Sequence, residues 1–176
     1  MNYADIKYCD VANGEGVRVS LFVSGCTHHC KECFNKKAWD FHYGNLFTQK
    51  EIDRILEYLK PNYIAGLSLL GGEPMEPVNQ EGILPLLRVV KQTYPEKNIW
   101  CYTGYLFDKD VLDKMCKESE VTKEIVSYLD IVVDGEFMID RKNLKINFRG
   151  SDNQRIIDVK KTLDAGEIVH WEREIQ

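Results

Sequence analysis

Cys26, Cys30 and Cys33 fall within one short run, Cys26-Thr27-His28-His29-Cys30-Lys31-Glu32-Cys33, with the spacing C-x3-C-x2-C. Three thiolates this close can grip one metal centre, but they are one short of the four protein ligands usual for structural zinc or an ordinary iron-sulfur cluster. Either another residue joins them or one position stays open. His28 or His29 would complete a Cys3His zinc site, and a zinc-dependent interaction module is the reading that follows. Both histidines lie between the first two cysteines, however, whereas a zinc module usually brings its second ligand pair from a distant turn. A 4Fe-4S cluster held by three cysteines leaves one iron open to bind a substrate and pass it an electron, which predicts redox chemistry.

The cysteines need a scaffold, and the flanking pattern supplies one. Val17 to Val23 is rich in β-branched and aromatic residues and stops at Ser24-Gly25, a strand feeding the cysteine loop. Thr48 and Glu51 form a capping box ahead of Ile52, Ile55, Leu56 and Leu59 at helical spacing, and Lys60-Pro61 ends that helix. Leu67 to Leu70 reads as a buried strand opening into Gly71-Gly72-Glu73-Pro74, followed by a helix on Ile83 to Val90 whose regular part Gly82 and Pro85 confine to its second half. Ile99 to Thr103 is a third strand, with helices around Val111 to Met115 and Val121 to Leu129 behind it. Asp130 to Val133 is a fourth, and Asn147 to Arg149 and Ile156 to Val159 read as short extended pieces. Strands alternating with helices predict βαβ units and a mainly parallel sheet, flat or curved into part of a barrel. In such folds the loops at the carboxyl ends of the strands share one edge, so the cysteine loop, Gly71 to Pro74, Thr103-Gly104-Tyr105 and Asp134-Gly135-Glu136 should meet there.

Composition narrows the class. The 176 residues are 44% hydrophobic and 29% charged, with 12 Gly and 5 Pro, which suits a single globular domain over residues 1–176 and excludes collagen-like and wholly disordered chains. With 23 Lys and Arg against 28 Asp and Glu the net charge is -5, and no stretch gathers the cations into a stripe, which disfavours nucleic acid as a partner. The first ten residues contain Asp5, Lys7 and Asp10 and no apolar core, and no long apolar run follows, so a cytoplasmic protein without a membrane partner is expected. A reducing compartment turns the six cysteines toward metal ligation or catalysis. Cys101 and Cys116 read as small core residues and Cys9 as a half-buried one. His42 and His170 have no partner pattern.

The C-x3-C-x2-C loop followed by Gly71-Gly72-Glu73-Pro74 at the next strand end resembles the radical S-adenosylmethionine superfamily. Further stretches narrow the likeness: Asn13 to Arg18, Leu21 to Asn35 with Trp39, Ile99 to Tyr105, Val133 to Phe137 and Arg149 to Arg155 are similar to the glycyl-radical enzyme activases, and among these to the group that activates anaerobic ribonucleoside-triphosphate reductase. Activases of other glycyl-radical enzymes, such as pyruvate formate-lyase, share the first two motifs. Only the later stretches separate the two cases.

The resemblance implies an open, partial (β/α) barrel, shortened relative to six units because only four strand-helix units precede Gly135. It implies that Cys26, Cys30 and Cys33 ligate three irons of a 4Fe-4S cluster, and that S-adenosyl-L-methionine binds the fourth iron through its amino and carboxylate groups. Reductive cleavage would then yield methionine and a 5'-deoxyadenosyl radical, which takes hydrogen from a glycine of the reductase large subunit. A flavodoxin or ferredoxin is the expected one-electron donor. Gly71 and Gly72 would let backbone approach the cofactor, and Glu73 would orient the loop or meet the methionine ammonium. Many members have an aromatic residue just before the third cysteine that helps hold adenine. Glu32 stands there in this chain, so adenine contact falls to Glu32, the Cys33 backbone and Phe34. Thr103 and Asp134 would hydrogen-bond ribose or methionine, unless Thr103 caps a turn and Asp134 starts an Asx turn.

Overall fold

The computed structural model describes residues 1–172. Its seven strands form one sheet in the order β3-β1-β2-β4-β5-β6-β7. These are β1 (Asn2–Asp10), β2 (Val17–Val23), β3 (Asn45–Leu46), β4 (Ile64–Gly71), β5 (Asn98–Thr103), β6 (Ile131–Asp134) and β7 (Arg155–Asp158). Adjacent β2, β4, β5 and β6 pair in parallel, while β1 and β7 add antiparallel strands on either side. The parallel strands are laid down in sequence order in one direction, so the helices between them fall on one face of the sheet.

Those helices are α1 (Gln49–Leu59), α2 (Pro77–Thr93), α3 (Cys116–Glu118) and α4 (Glu120–Tyr128), and α5 (Val159–Ala165) follows β7. The Thr48 and Glu51 capping box forms as the sequence predicts. Val19, Leu21 and Val23 of β2, with Leu67, Leu69, Ile99, Cys101 and Val132, pack against Ile52, Ile55, Ile83, Leu87 and Ile125 of the helices in one core. Side chains alternate across a strand, so Arg18, Ser20, Phe22, Ser68, Leu70, Trp100 and Tyr102 occupy the helix-free face. There Trp100, Ile131 and Val133 form a second cluster with Tyr102, Phe148, Ile156 and Trp171. Buried Arg18 ties this face together: its guanidinium donates to Ser68 Oγ at 2.7 Å and to the carbonyls of Glu15, Leu67 and Asn98, over the ring of Trp100.

Three local expectations need correcting, and one strand lies where the sequence pattern predicts no element. The polar start of the chain is a nine-residue strand, β1, invisible to periodicity because Tyr3 is its only fully buried residue and two irregularities break its register. Helix α2 begins at Pro77, not midway: Pro77 has no need of an amide hydrogen at the first helical position, and Pro85 lies on the exposed side, where the carbonyl it leaves unpaired can meet water. The helix expected at Val111 to Met115 is wound over Phe107–Met115 with π-type bonds before α3 continues it. Asn147 to Arg149 is no strand, because Phe148 adopts φ +60° and folds its ring onto Trp100. Among the described residues no helix is long and apolar enough to cross a membrane.

Candidate metal and cofactor site

The exits of β2 and β4 are knitted together by backbone. Gly72 N–H donates to Val23 O at 2.7 Å and Glu73 N–H to Gly25 O at 2.8 Å, while Gly25 and Cys26 N–H donate to Ala38 O and Trp39 O. This closeness explains the paired glycines. A Cβ on Gly72 would lie 2.5 Å from Gly25 O, and Gly71 has φ +112° with a Cβ position 2.7 Å from Val23 N. The Asn79 side-chain amide donates to the carbonyls of both Gly25 and Glu73, so α2 clamps the junction from below.

A cavity of about 530 Å³ opens at this edge. All three of Cys26, Cys30 and Cys33 line it, together with Gly71, Gly72, Glu73, Thr103, Gly104 and Gly135, and it runs on over Phe22, Leu70 and Tyr102 of the helix-free sheet face. Cys26 is buried, Cys30 and Cys33 half-buried, and none is in a disulfide. Burial pushes the Cys26 thiol up to about 11 against the opposing pull of the His28 and His29 backbone N–H groups, and burial also raises Cys30. Asn35 N–H donates to Cys33 Sγ at 3.4 Å. Soft thiol ligands with N–H groups directed at sulfur suit an iron-sulfur centre, whose bound charge would offset the cost of placing one buried and two half-buried thiolates together. Among the described residues no three His, Cys, Asp or Glu side chains are grouped tightly enough to hold a single ion.

The histidines are spoken for. His28 Nε2 lies 3.0 Å from Glu73 Oε2 and its Nδ1 2.9 Å from Glu136 Oε1, so it bridges the exits of β4 and β6 from within the cysteine loop. Burial disfavours its charge, but the bonds and attraction from both carboxylates outweigh that and raise its pKa to about 9, making it a doubly donating imidazolium at neutral pH. Glu73 is almost wholly buried and also accepts from Gly104 N–H at 2.7 Å and Met75 N–H at 2.8 Å. His29 stacks on Trp39 at 4.6 Å. The zinc reading therefore loses the imidazole nitrogens of His28 as a fourth ligand.

The other expected residues divide. Thr103 lines the cavity and its Oγ1 accepts from Tyr105 N–H at 3.1 Å, the turn-capping alternative. Asp134 is fully buried and faces away from the cavity: its carboxylate takes the Arg155 guanidinium and Phe107 N–H, and Gly135 is the lining residue at that strand end. The Asp134 carboxylate thus braces β6 against β7. The Glu32 side chain is exposed beside Lys36 and does not line the cavity, leaving Phe34, which sits at the mouth against Phe137 at 4.8 Å. Cys101 and Cys116 are buried packing residues as expected, whereas Cys9 is exposed and away from the cavity. Sequence reasoning gave no role to Glu76, whose Oε1 accepts from both Thr27 N–H and Thr27 Oγ1, or to Glu136. Glu76 lies three residues beyond Glu73 and Glu136 in the loop after β6, and only their shared proximity to the cysteine loop reveals them.

Comparison with known proteins gives a consistent picture. The family described as a 4Fe-4S single cluster domain matches residues 12–157. The anaerobic ribonucleoside-triphosphate reductase-activating protein of Enterobacteria phage T4 is 44% identical over 158 residues, covering 89% of this chain and 93% of the relative. The protein of the same name from Haemophilus influenzae is 42% identical, covering 89% and 97%, and that from Escherichia coli K12 is 38% identical, covering 88% and 96%.

Proposed function

Because this chain belongs to the family of anaerobic ribonucleoside-triphosphate reductase-activating proteins, we propose that it generates a glycyl radical on the large subunit of that reductase, using S-adenosyl-L-methionine at a 4Fe-4S cluster. The observation that carries this reading is the convergence of Cys26, Cys30, Cys33 and the Gly71-Gly72-Glu73 loop on one cavity. Those three cysteines would hold the cluster. When bound, it supplies the low-potential electron for reductive cleavage of the sulfonium.

The chain's own residues do the rest. Gly71 and Gly72 bring the β4 exit against the cysteine loop, and His28, Gly104 and Met75 fix the buried Glu73 carboxylate so that it can receive the methionine ammonium with little reorganisation. Phe34, beside Phe137, offers an aromatic face for adenine where Glu32 does not. Phe22, Leu70 and Tyr102 line the cavity floor and keep bulk water from the reacting atoms. The four parallel strands with the helices between them on one face support an open, shortened (β/α) barrel in a single domain, whose uncovered side admits a loop of the partner protein. A flavodoxin or ferredoxin donor and a cytoplasmic setting belong to the same reading.

Anaerobic reconstitution tests it. Protein loaded with iron and sulfide should cleave S-adenosylmethionine slowly with a one-electron reductant and faster when the reductase is present. Changing any of Cys26, Cys30 or Cys33 to Ala should abolish cleavage. Stoichiometric zinc without iron-sulfur absorbance would overturn it, and faster cleavage with another glycyl-radical enzyme, but not with the reductase, would redirect it.

A further inference from the structure

The mouth of the cavity differs from the rest of the surface. Leu144 is 79% exposed and Phe34 69%, yet both line the cavity, and Met138, next in sequence to the lining residue Phe137, is 45% exposed. They come from two segments that the sequence separates by more than a hundred residues: the cysteine loop and the stretch between β6 and β7. Phe34 contacts Phe137, and Lys142 Nζ stands 5.2 Å over the Phe34 ring.

The second segment is a closed lobe held in place. Asn143 N–H donates to Gly150 O, Asp152 N–H to Arg141 O, and Lys142 bridges to Ser151. Gln154 and Asn153 amides bind the carbonyls of Gly135 and Glu136, anchoring the lobe to the β6 exit. So much fixed backbone presenting exposed Leu144 at an active-site rim serves no need of the isolated fold, which gains nothing from a large apolar side chain in water.

Charge supplies the second observation. Residues 31–37 contain Lys31, Lys36 and Lys37 against Glu32, and residues 141–149 contain Arg141, Lys142, Lys145 and Arg149 with no acidic residue. Neighbouring Glu136 and Asp152 are occupied by His28 and Arg141, and Glu32 by Lys36, leaving Asp140 as the remaining carboxylate. Among the described residues Lys31, Lys37 and Lys145 have no carboxylate in ion-pair reach. A protein of net charge -5 thus turns a cationic, apolar collar toward whatever enters its cavity.

From this geometry we infer that the collar is the docking surface for the radical-accepting protein, with Leu144 and Phe34 as apolar anchors and Lys142 and Lys145 engaging carboxylates that flank the loop it inserts. The inference rests on the proposed function and deepens it. A polypeptide that delivers a glycine to the cysteine edge must cross this rim, so dock and cavity are continuous. Apolar anchors inside a charged rim are the arrangement in which a few residues dominate binding and the charges set encounter rate and salt dependence.

The test uses reconstituted full-length protein and the reductase of the same organism, comparing wild type with the variant Lys142→Glu, Leu144→Glu, Lys145→Glu. All three positions are exposed, so thermal melting should be unchanged; because Leu144 lines the cavity, binding to the reductase is read without S-adenosylmethionine. Affinity of the wild type for the reductase should fall with added salt, and the variant should bind at least about tenfold more weakly. Equal binding by the variant would overturn the inference alone. So would normal reductase binding combined with slower reduction by flavodoxin, which would make the collar the donor's dock. Wild type that neither binds the reductase nor is stimulated by it would remove the proposed function and this inference together, whereas binding without any cleavage of S-adenosylmethionine would remove only the former.

Discussion

His28 and Glu73 are joined by a 3.0 Å bond between Nε2 and Oε2, with Glu73 only 1% exposed, so a residue inside the cysteine loop fixes the carboxylate of the glycine-rich loop. Removing the imidazole leaves Glu73 buried with two backbone donors and Glu136 without its partner. His28→Ala should therefore lower the stability of the metal-free protein by about 1–3 kcal/mol in denaturant titrations. It should also weaken S-adenosylmethionine binding, measured by calorimetry on reconstituted protein, while iron content stays near wild type. Unchanged binding would mean that Glu73 needs no such support.

Gly72→Ala tests the junction of the two loops. The added methyl meets backbone, Gly25 O at 2.5 Å and Ala38 O at 2.9 Å, which cannot swing aside as a side chain would. A loss of about 1–3 kcal/mol is expected from this overpacking, with reduced iron incorporation because the cysteine loop must shift. Gly166→Ala is the control: its φ is +71° but no atom lies within 4 Å, so it should reduce stability without affecting iron loading.

Asp130 governs acid stability at the opposite sheet edge. Burial opposes its ionisation, but Lys91 Nζ at 2.9 Å, Ile99 N–H at 2.8 Å and Lys160 hold its carboxyl below the usual value of 3.8. A depressed folded-state pKa contributes stability that is intact above the unfolded value and is lost as pH falls through the folded one. Asp130→Asn should thus be less stable than wild type by about 1–3 kcal/mol at pH 7. That gap should hold down to roughly pH 4 and shrink only below it. A gap that widens on acidification would contradict the assignment.

Much of this architecture was legible because particular residues are unambiguous. The Thr48 and Glu51 box, the apolar run of β4 and the breaks at Gly71 and Gly104 state their structure locally, and strand order then gathers the cysteine and glycine loops at one edge. What stayed hidden depends on contacts distant in sequence. Asp134 sits at a strand end like a ligand-binding residue, but Arg155, 21 residues on, claims its carboxylate. His28 looked like a spare ligand until Glu73 and Glu136 were brought to it, 45 and 108 residues away. Strand β1, with little to bury, carries almost no pattern to read.

The central claim is tested most directly by anaerobic electron paramagnetic resonance of the reductase after incubation with reconstituted protein, S-adenosylmethionine and a one-electron reductant. A glycyl-radical signal is expected on the reductase and should be absent when Cys26, Cys30 or Cys33 is replaced by Ala. No radical on the reductase with fully cluster-loaded wild type, or an undiminished radical with a cysteine variant, would contradict it.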